Sequence, residues 1–164
     1  MKTQFGVVIV VALATVVARA EDLKKLSLDD ASSASPKIEA DAQVKVEGAS
    51  SIRITAQWPV TVCLGAVAGL EIENAELVYS AKVKTELEET GTAFLEMWAH
   101  LGTEQYFSKG MNNAVSGKSD WTTIRTPFLF GEGQKPDKVT LNLVINGSGT
   151  VWIDDVVLSE EPLE

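Results

Sequence analysis

Four side chains spaced two apart, Phe94, Glu96, Trp98 and His100, carry the clearest chemistry in this chain. They alternate with Ala93, Leu95, Met97, Ala99 and Leu101, a uniformly apolar set. The stretch 93–101 is therefore expected to be a strand with one face towards a core and the other towards solvent or a ligand. An aromatic row beside a carboxylate and an imidazole suits a ligand with apolar C–H faces and hydroxyl rims, as sugars have. Thr140, Asn142 and Val144 project away from the core on a strand of their own, and extend the face if the two strands share a sheet. The plainer account of Glu96 is an ion pair with Lys82 or Lys84 across a sheet.

The same residues offer little to catalysis. His100 is the only histidine, which excludes histidine-based zinc clusters and two-histidine mechanisms. A Ser-His-Asp arrangement would have to use it, and nothing resembling a nucleophile elbow accompanies it. Glu96, flanked by Phe94 and Trp98, would suit glycoside hydrolysis, but the pattern places no second carboxylate, so a glycoside-active enzyme ranks third behind two binding functions. Gly117-Lys118-Ser119 echoes the end of a phosphate-binding loop, yet Asn112 stands where that loop requires glycine. Asn146-Gly147-Ser148 fits an N-glycosylation acceptor and also a hairpin turn.

Positioning these residues falls to strands. Alternating or short β-rich segments run over 44–47, 51–56, 59–67, 75–85, 121–130, 139–145 and 150–158, besides 93–101. A short segment at 105–108 can return beside 93–101 as a hairpin after Gly102. Pro127 marks an edge or a bulge, and the aromatic row is expected to be either partly exposed or covered by a loop, for which the polar interval 109–120 is the candidate. About eight strands, with no convincing helix after the first residues and no internal repeat, predict an all-β, antiparallel β-sandwich. Leu77, Val83, Leu95, Met97, Leu141, Leu143 and Ile145 should form its core. Cys63, the only cysteine, alternates with apolar residues and is expected to be buried; it can form no intramolecular disulfide.

The 164 residues open with Lys2, an apolar run over 5–18 and Ala18-Arg19-Ala20. That run is shorter than the ~20 residues that span a bilayer, and a small-x-small cleavage site follows, as in a secretory signal peptide. The alternative is an uncleaved membrane anchor, although no cationic stop-transfer cluster follows. The expected organisation is a signal peptide over 1–20, a flexible spacer over 21–36 and a β-sandwich domain over 37–164. The formal charge of −9 becomes −11 once Lys2 and Arg19, the leader's charged residues, are removed. Such a surface repels nucleic acid and anionic lipid, and the expected location is secreted, periplasmic or extracellular.

A final strand reading Gly-Thr-Val-Trp-Ile-Asp-Asp-Val-Val-Leu, residues 149–158, resembles the closing strand of jelly-roll carbohydrate-binding modules with the galactose-binding-domain-like fold. Trp121-Thr122-Thr123-Ile124 resembles their tryptophan-led strand, and the likeness covers residues 76–158. It implies a jelly roll, and a structural calcium ion held in part by Asp154 or Asp155. The sequence departs from the family over 37–46, where only Glu39 and Asp41 could supply further ligands to the metal. Together, residues and resemblance lead to the expectation of a secreted, non-catalytic module that binds carbohydrate through Phe94, Glu96, Trp98, His100 and Asn142. The alternative is a structural or protein-interaction domain whose partner is another surface protein.

Overall fold

The computed structural model describes residues 21–25, 33–34 and 36–163. The expected leader, its cleavage site and half of the expected spacer lie outside the described residues. Twelve strands are described: β1 Glu21–Lys25, β2 Ser33–Ala34, β3 Lys37–Asp41, β4 Ser51–Ala56, β5 Val60–Ala68, β6 Ala75–Leu87, β7 Thr92–Leu101, β8 Glu104–Lys109, β9 Val115–Ser116, β10 Lys118–Phe130, β11 Lys138–Asn146 and β12 Gly149–Pro162. A 3-10 turn at Met111–Asn113 lies between β8 and β9. No helix among the described residues is long and apolar enough to cross a membrane.

The strands form two antiparallel sheets. The seven-stranded sheet runs β10-β6-β12-β4-β3-β2, with β1 also on β12; the five-stranded sheet runs β5-β11-β7-β8, with β9 also on β7. Alternation dictates this layering, because successive side chains of a strand point to opposite faces and only one face of each sheet is apolar. Leu77 and Val83 of β6, Leu95 and Met97 of β7, and Leu141, Leu143 and Ile145 of β11 are each at most 1% exposed, in one core between the sheets. The β-sandwich expected from the alternation is the fold observed, with more strands than the eight expected because β1, β2, β3 and β9 are short or weakly patterned.

Three expectations need correction. Residues 44–47 lie in an irregular loop, and the strand of that region is β3, paired with β4 from Lys37↔Thr55 to Asp41↔Ser51. Part of the expected spacer is paired: β1 runs along β12 from Glu21↔Glu160 to Lys25↔Val157. It does so because β4 covers the same edge of β12 only from Gly149 to Ile153, leaving the backbone groups beyond open to a partner. Cys63 is exposed. The buried Val62 beside it fixes the inward phase of β5, so Cys63 must point outward.

Two glycines mark tight places in the frame. Gly149 opens β12 at φ +132°, and a Cβ there would lie 2.4 Å from the Glu86 carbonyl oxygen. Gly110, which donates its N–H to the Leu95 carbonyl at 2.9 Å, passes so close to β10 that a Cβ would meet the Arg125 carbonyl at 2.8 Å. Absence of a side chain is what lets the chain pass from β8 into the turn beneath β7.

Candidate functional site

The outer face of the five-stranded sheet collects polar and aromatic side chains in cross-strand rows. The tight Gly102-Thr103 connection sets the hairpin of β7 and β8, which places Phe107 opposite Trp98, Lys109 opposite Glu96 and Gln105 opposite His100. On the other side of β7, β11 places Thr140 opposite Trp98, Asn142 opposite Glu96 and Val144 opposite Phe94. Beyond β11, Cys63 of β5 lies opposite Asn142. One row therefore reads Lys109, Glu96, Asn142, Cys63, and its neighbour reads Phe107, Trp98, Thr140.

Glu96 is the hub. Its side chain is only 8% exposed, yet it stays charged because donors surround it. Oε1 accepts the Trp98 indole N–H at 2.7 Å and an Asn142 amide N–H at 3.1 Å, while Oε2 faces the Lys109 ammonium at 3.2 Å. Burial pushes the carboxyl up, but the hydrogen bonds from Trp98, Asn142 and Lys109 outweigh it and hold Glu96 below its ordinary value. The expected pairing with Lys82 or Lys84 does not occur, because those lysines lie on the other sheet, where they meet Thr123 at 2.6 Å and Asp120 at 2.9 Å.

Orienting the Trp98 indole has a consequence for the aromatic surface. The ring centroids of Trp98 and Phe107 lie 5.1 Å apart at 45°, with Phe107 55% exposed and the Lys109 ammonium 5.1 Å from its ring centroid. His100 is half-buried, with Nε2 3.3 Å from the Thr140 hydroxyl. Trp98, Glu96, His100 and Asn142 are thus brought together as expected. Phe94 shares their face but is 5% exposed, opposite the buried Val144, so its ring offers no platform. Phe107 takes that place, and Lys109 joins the site. Both were readable from the Gly102-Thr103 hairpin, whose register fixes what faces Trp98 and Glu96.

Of Asp154 and Asp155, the residues implied to help hold calcium, Asp154 has its carboxylate taken up by backbone donors. Oδ2 of Asp154 accepts the backbone N–H groups of Val46 at 2.7 Å and Glu47 at 3.0 Å, and Oδ1 accepts that of Asp155 at 2.8 Å. Asp155 sits at φ +49° in a bulge of β12, a conformation that aspartate tolerates better than most residues. In the same loop, the Lys45 ammonium donates to the carbonyls of Gly48 at 3.0 Å and Ala49 at 2.9 Å. Asp41 closes the start of the loop, accepting N–H groups from Gln43 and Val44 and the Trp152 indole N–H at 2.9 Å. N–H donors hold the Asp154 carboxylate and an ammonium holds the two carbonyls, so these donors do not fit a calcium ion. Among the described residues no group of three or more His, Cys, Asp or Glu side chains is placed to hold a metal.

No protein-family model and no curated protein sequence matches the chain. Solved structures do match its fold. The CBM22-1 xylan-binding domain from Paenibacillus barcinonensis Xyn10C superposes with a TM-score of 0.63 at 12% identity, covering 91% of this chain and all of that one. A xylan-binding domain from CBM 22 matches over 92% of this chain and 99% of its own, with a TM-score of 0.56 at 8% identity. The Stig cyclase Fisc from Fischerella sp. TAU, in complex with an indole compound, matches over 84% of this chain and 82% of its own, with a TM-score of 0.50 at 16% identity. The chain has the jelly-roll β-sandwich fold of carbohydrate-binding modules.

Proposed function

We propose that this chain is a non-catalytic carbohydrate-binding domain and that the outer face of the five-stranded sheet is its site. The observation that carries the reading is the exposed Phe107 ring set against Trp98, whose indole is oriented by a buried, charged Glu96. A sugar ring stacks its C–H face on such a surface and turns its hydroxyls to the flanking polar groups, here Lys109, Asn142, His100 and Thr140. With a formal charge of −9 the chain repels polyanions, so the ligand is a neutral polysaccharide. The xylan-binding neighbours support the class of ligand. The apolar run over residues 5–18 supports an extracytoplasmic location.

The cyclase among the neighbours keeps catalysis in view, and Glu96 is unsuited to the one role the sequence offered it, that of a glycosidase acid. A glycosidase acid must hold its proton near neutral pH, which requires a raised pKa, whereas Glu96 is held low. The test is affinity electrophoresis of the chain through gels containing neutral xylan, glucan or galactan. At least one polymer should retard it, and Trp98→Ala and Phe107→Ala should each abolish the retardation with little change in melting temperature. If both variants are retarded like the parent, the face is not the site. Failure of every polymer to retard the parent would favour the protein-interaction alternative.

A further inference from the structure

A different corner of the sandwich has the composition of a second ligand site. Lys37 of β3 pairs with Thr55 of β4, and the chain leaves β4 through Gln57 and Trp58 to cross into β5. These residues, with Pro36, Ala56 and Val60, line a pocket of about 210 Å³. Thr55 alternates with the buried Ile54 and Ala56, so it points away from the core on the seven-stranded layer, the layer opposite the Trp98 face. Trp58 is 59% exposed, the most open aromatic ring among the described residues. Beside the pocket the open indole presents a flat ring face on which a ligand can stack.

The chemistry around that indole is mixed. The Thr55 hydroxyl, the Gln57 amide and the Trp58 indole N–H supply donors and acceptors, while Val60, Pro36 and Ala56 supply apolar wall. The one cation in the lining, Lys37, is ion-paired with Glu39 at 2.9 Å, which removes any demand for an anionic ligand. At about 210 Å³ the pocket is smaller than the roughly 300–1,000 Å³ of ordinary ligand sites, a size suited to one sugar ring.

We propose that the Trp58 pocket is a second saccharide subsite, which takes a single neutral sugar ring at the end of a chain. It is separate from the Trp98 face, since it opens at the β4–β5 connection and shares no lining residue with the rows of that face, and it does not depend on that face for its argument. A flat sheet face can grip the middle of a polysaccharide, whereas a pocket of one-ring size selects a terminus or a free monosaccharide.

The four tryptophans make the two sites separable in one experiment. The full chain, labelled with nitrogen-15 at tryptophan, gives indole N–H signals that Trp58→Phe and Trp98→Phe assign. D-xylose, D-glucose, D-galactose, xylohexaose and cellohexaose are then titrated in turn. A saturable shift of the Trp58 signal with at least one monosaccharide is the expected result, and Gln57→Ala should weaken that binding about fivefold, the loss of one neutral hydrogen bond. A Trp58 signal that stays fixed through all the titrations overturns the subsite, whatever Trp98 does. An affinity unchanged in Gln57→Ala also overturns it, because the ring would then lie outside the pocket. If Trp58 moves with a sugar and Trp98 never does, the pocket stands and the sheet-face reading falls.

Discussion

Tyr79 is fully buried in the core, and its hydroxyl has no hydrogen-bond partner there. Burial pushes its ionisation far above the usual phenol range, so it remains a neutral and unsatisfied polar group. Tyr79→Phe should therefore leave stability unchanged or raise it by about 1 kcal/mol, as thermal unfolding would record; a clear loss would mean that the hydroxyl is bonded in solution. The contrast with Glu96 is instructive, since both are polar groups removed from water and only Glu96 has donors. At this scale the sequence revealed the face of Trp98, Glu96 and His100 through simple alternation. It misled on Phe94, because alternation tells which face a side chain shares but not whether a neighbour such as Val144 closes over it. Cys63 misled for a related reason: a polarity pattern made mostly of apolar residues does not say which of its two phases is inside.

Among the elements, β12 shows how one residue can reverse a strand's faces. Val151 and Ile153 point into the core at odd positions, and Val156 and Leu158 do so at even ones, because the bulge at Asp155 absorbs one residue between them. The bulge also leaves the Asp154 carboxylate on the outer face, where it binds the loop 42–50 through Val46 and Glu47. Asp154→Ala should release that loop and cost about 2–3 kcal/mol, the loss of hydrogen bonds to a charged acceptor. Melting curves in chelator and in millimolar calcium should coincide for the parent chain, since the backbone N–H groups of Val46 and Glu47 make the contact directly. A melting temperature raised by calcium would restore the metal site that the sequence resemblance implies. The resemblance identified the strand correctly and carried the metal along with it. What it could not convey is that the backbone N–H groups of Val46 and Glu47 hold the Asp154 carboxylate, because hydrogen bonds between residues more than a hundred positions apart leave no local pattern.

For the molecule as a whole, the resolved shifts of its carboxylates agree in sign. Asp41 is held low chiefly by the Trp152 indole N–H, Glu39 by Arg53, Glu73 by the Gly133 backbone N–H and Asp120 by Lys84, and Glu96 joins them. Folded values below the unfolded ones mean stability that is complete above the unfolded carboxylate range and is lost as pH falls through the folded values. The melting temperature should be level from neutral pH to about 5 and drop below about 4, with a shallower drop in Asp41→Asn. Relief of self-repulsion in an acidic chain would act the opposite way, and a melting temperature that rises on acidification would mean that repulsion dominates. The sandwich itself was legible because four long strands alternate cleanly. The short pieces, β1 to β3, were not, since their pairing depends on edges that longer strands leave vacant.

Cys63 turns the candidate face into its own reporter. It is the only thiol, it is exposed, and it closes the row that begins at Lys109 and passes through Glu96 and Asn142. The rate at which iodoacetamide alkylates it is therefore a footprint of that surface alone, readable by mass spectrometry without altering a residue. A polysaccharide lying across the rows should slow the alkylation in proportion to occupancy. A monosaccharide held only at Trp58, in a pocket that Cys63 does not line, should leave the rate nearly as it is in buffer.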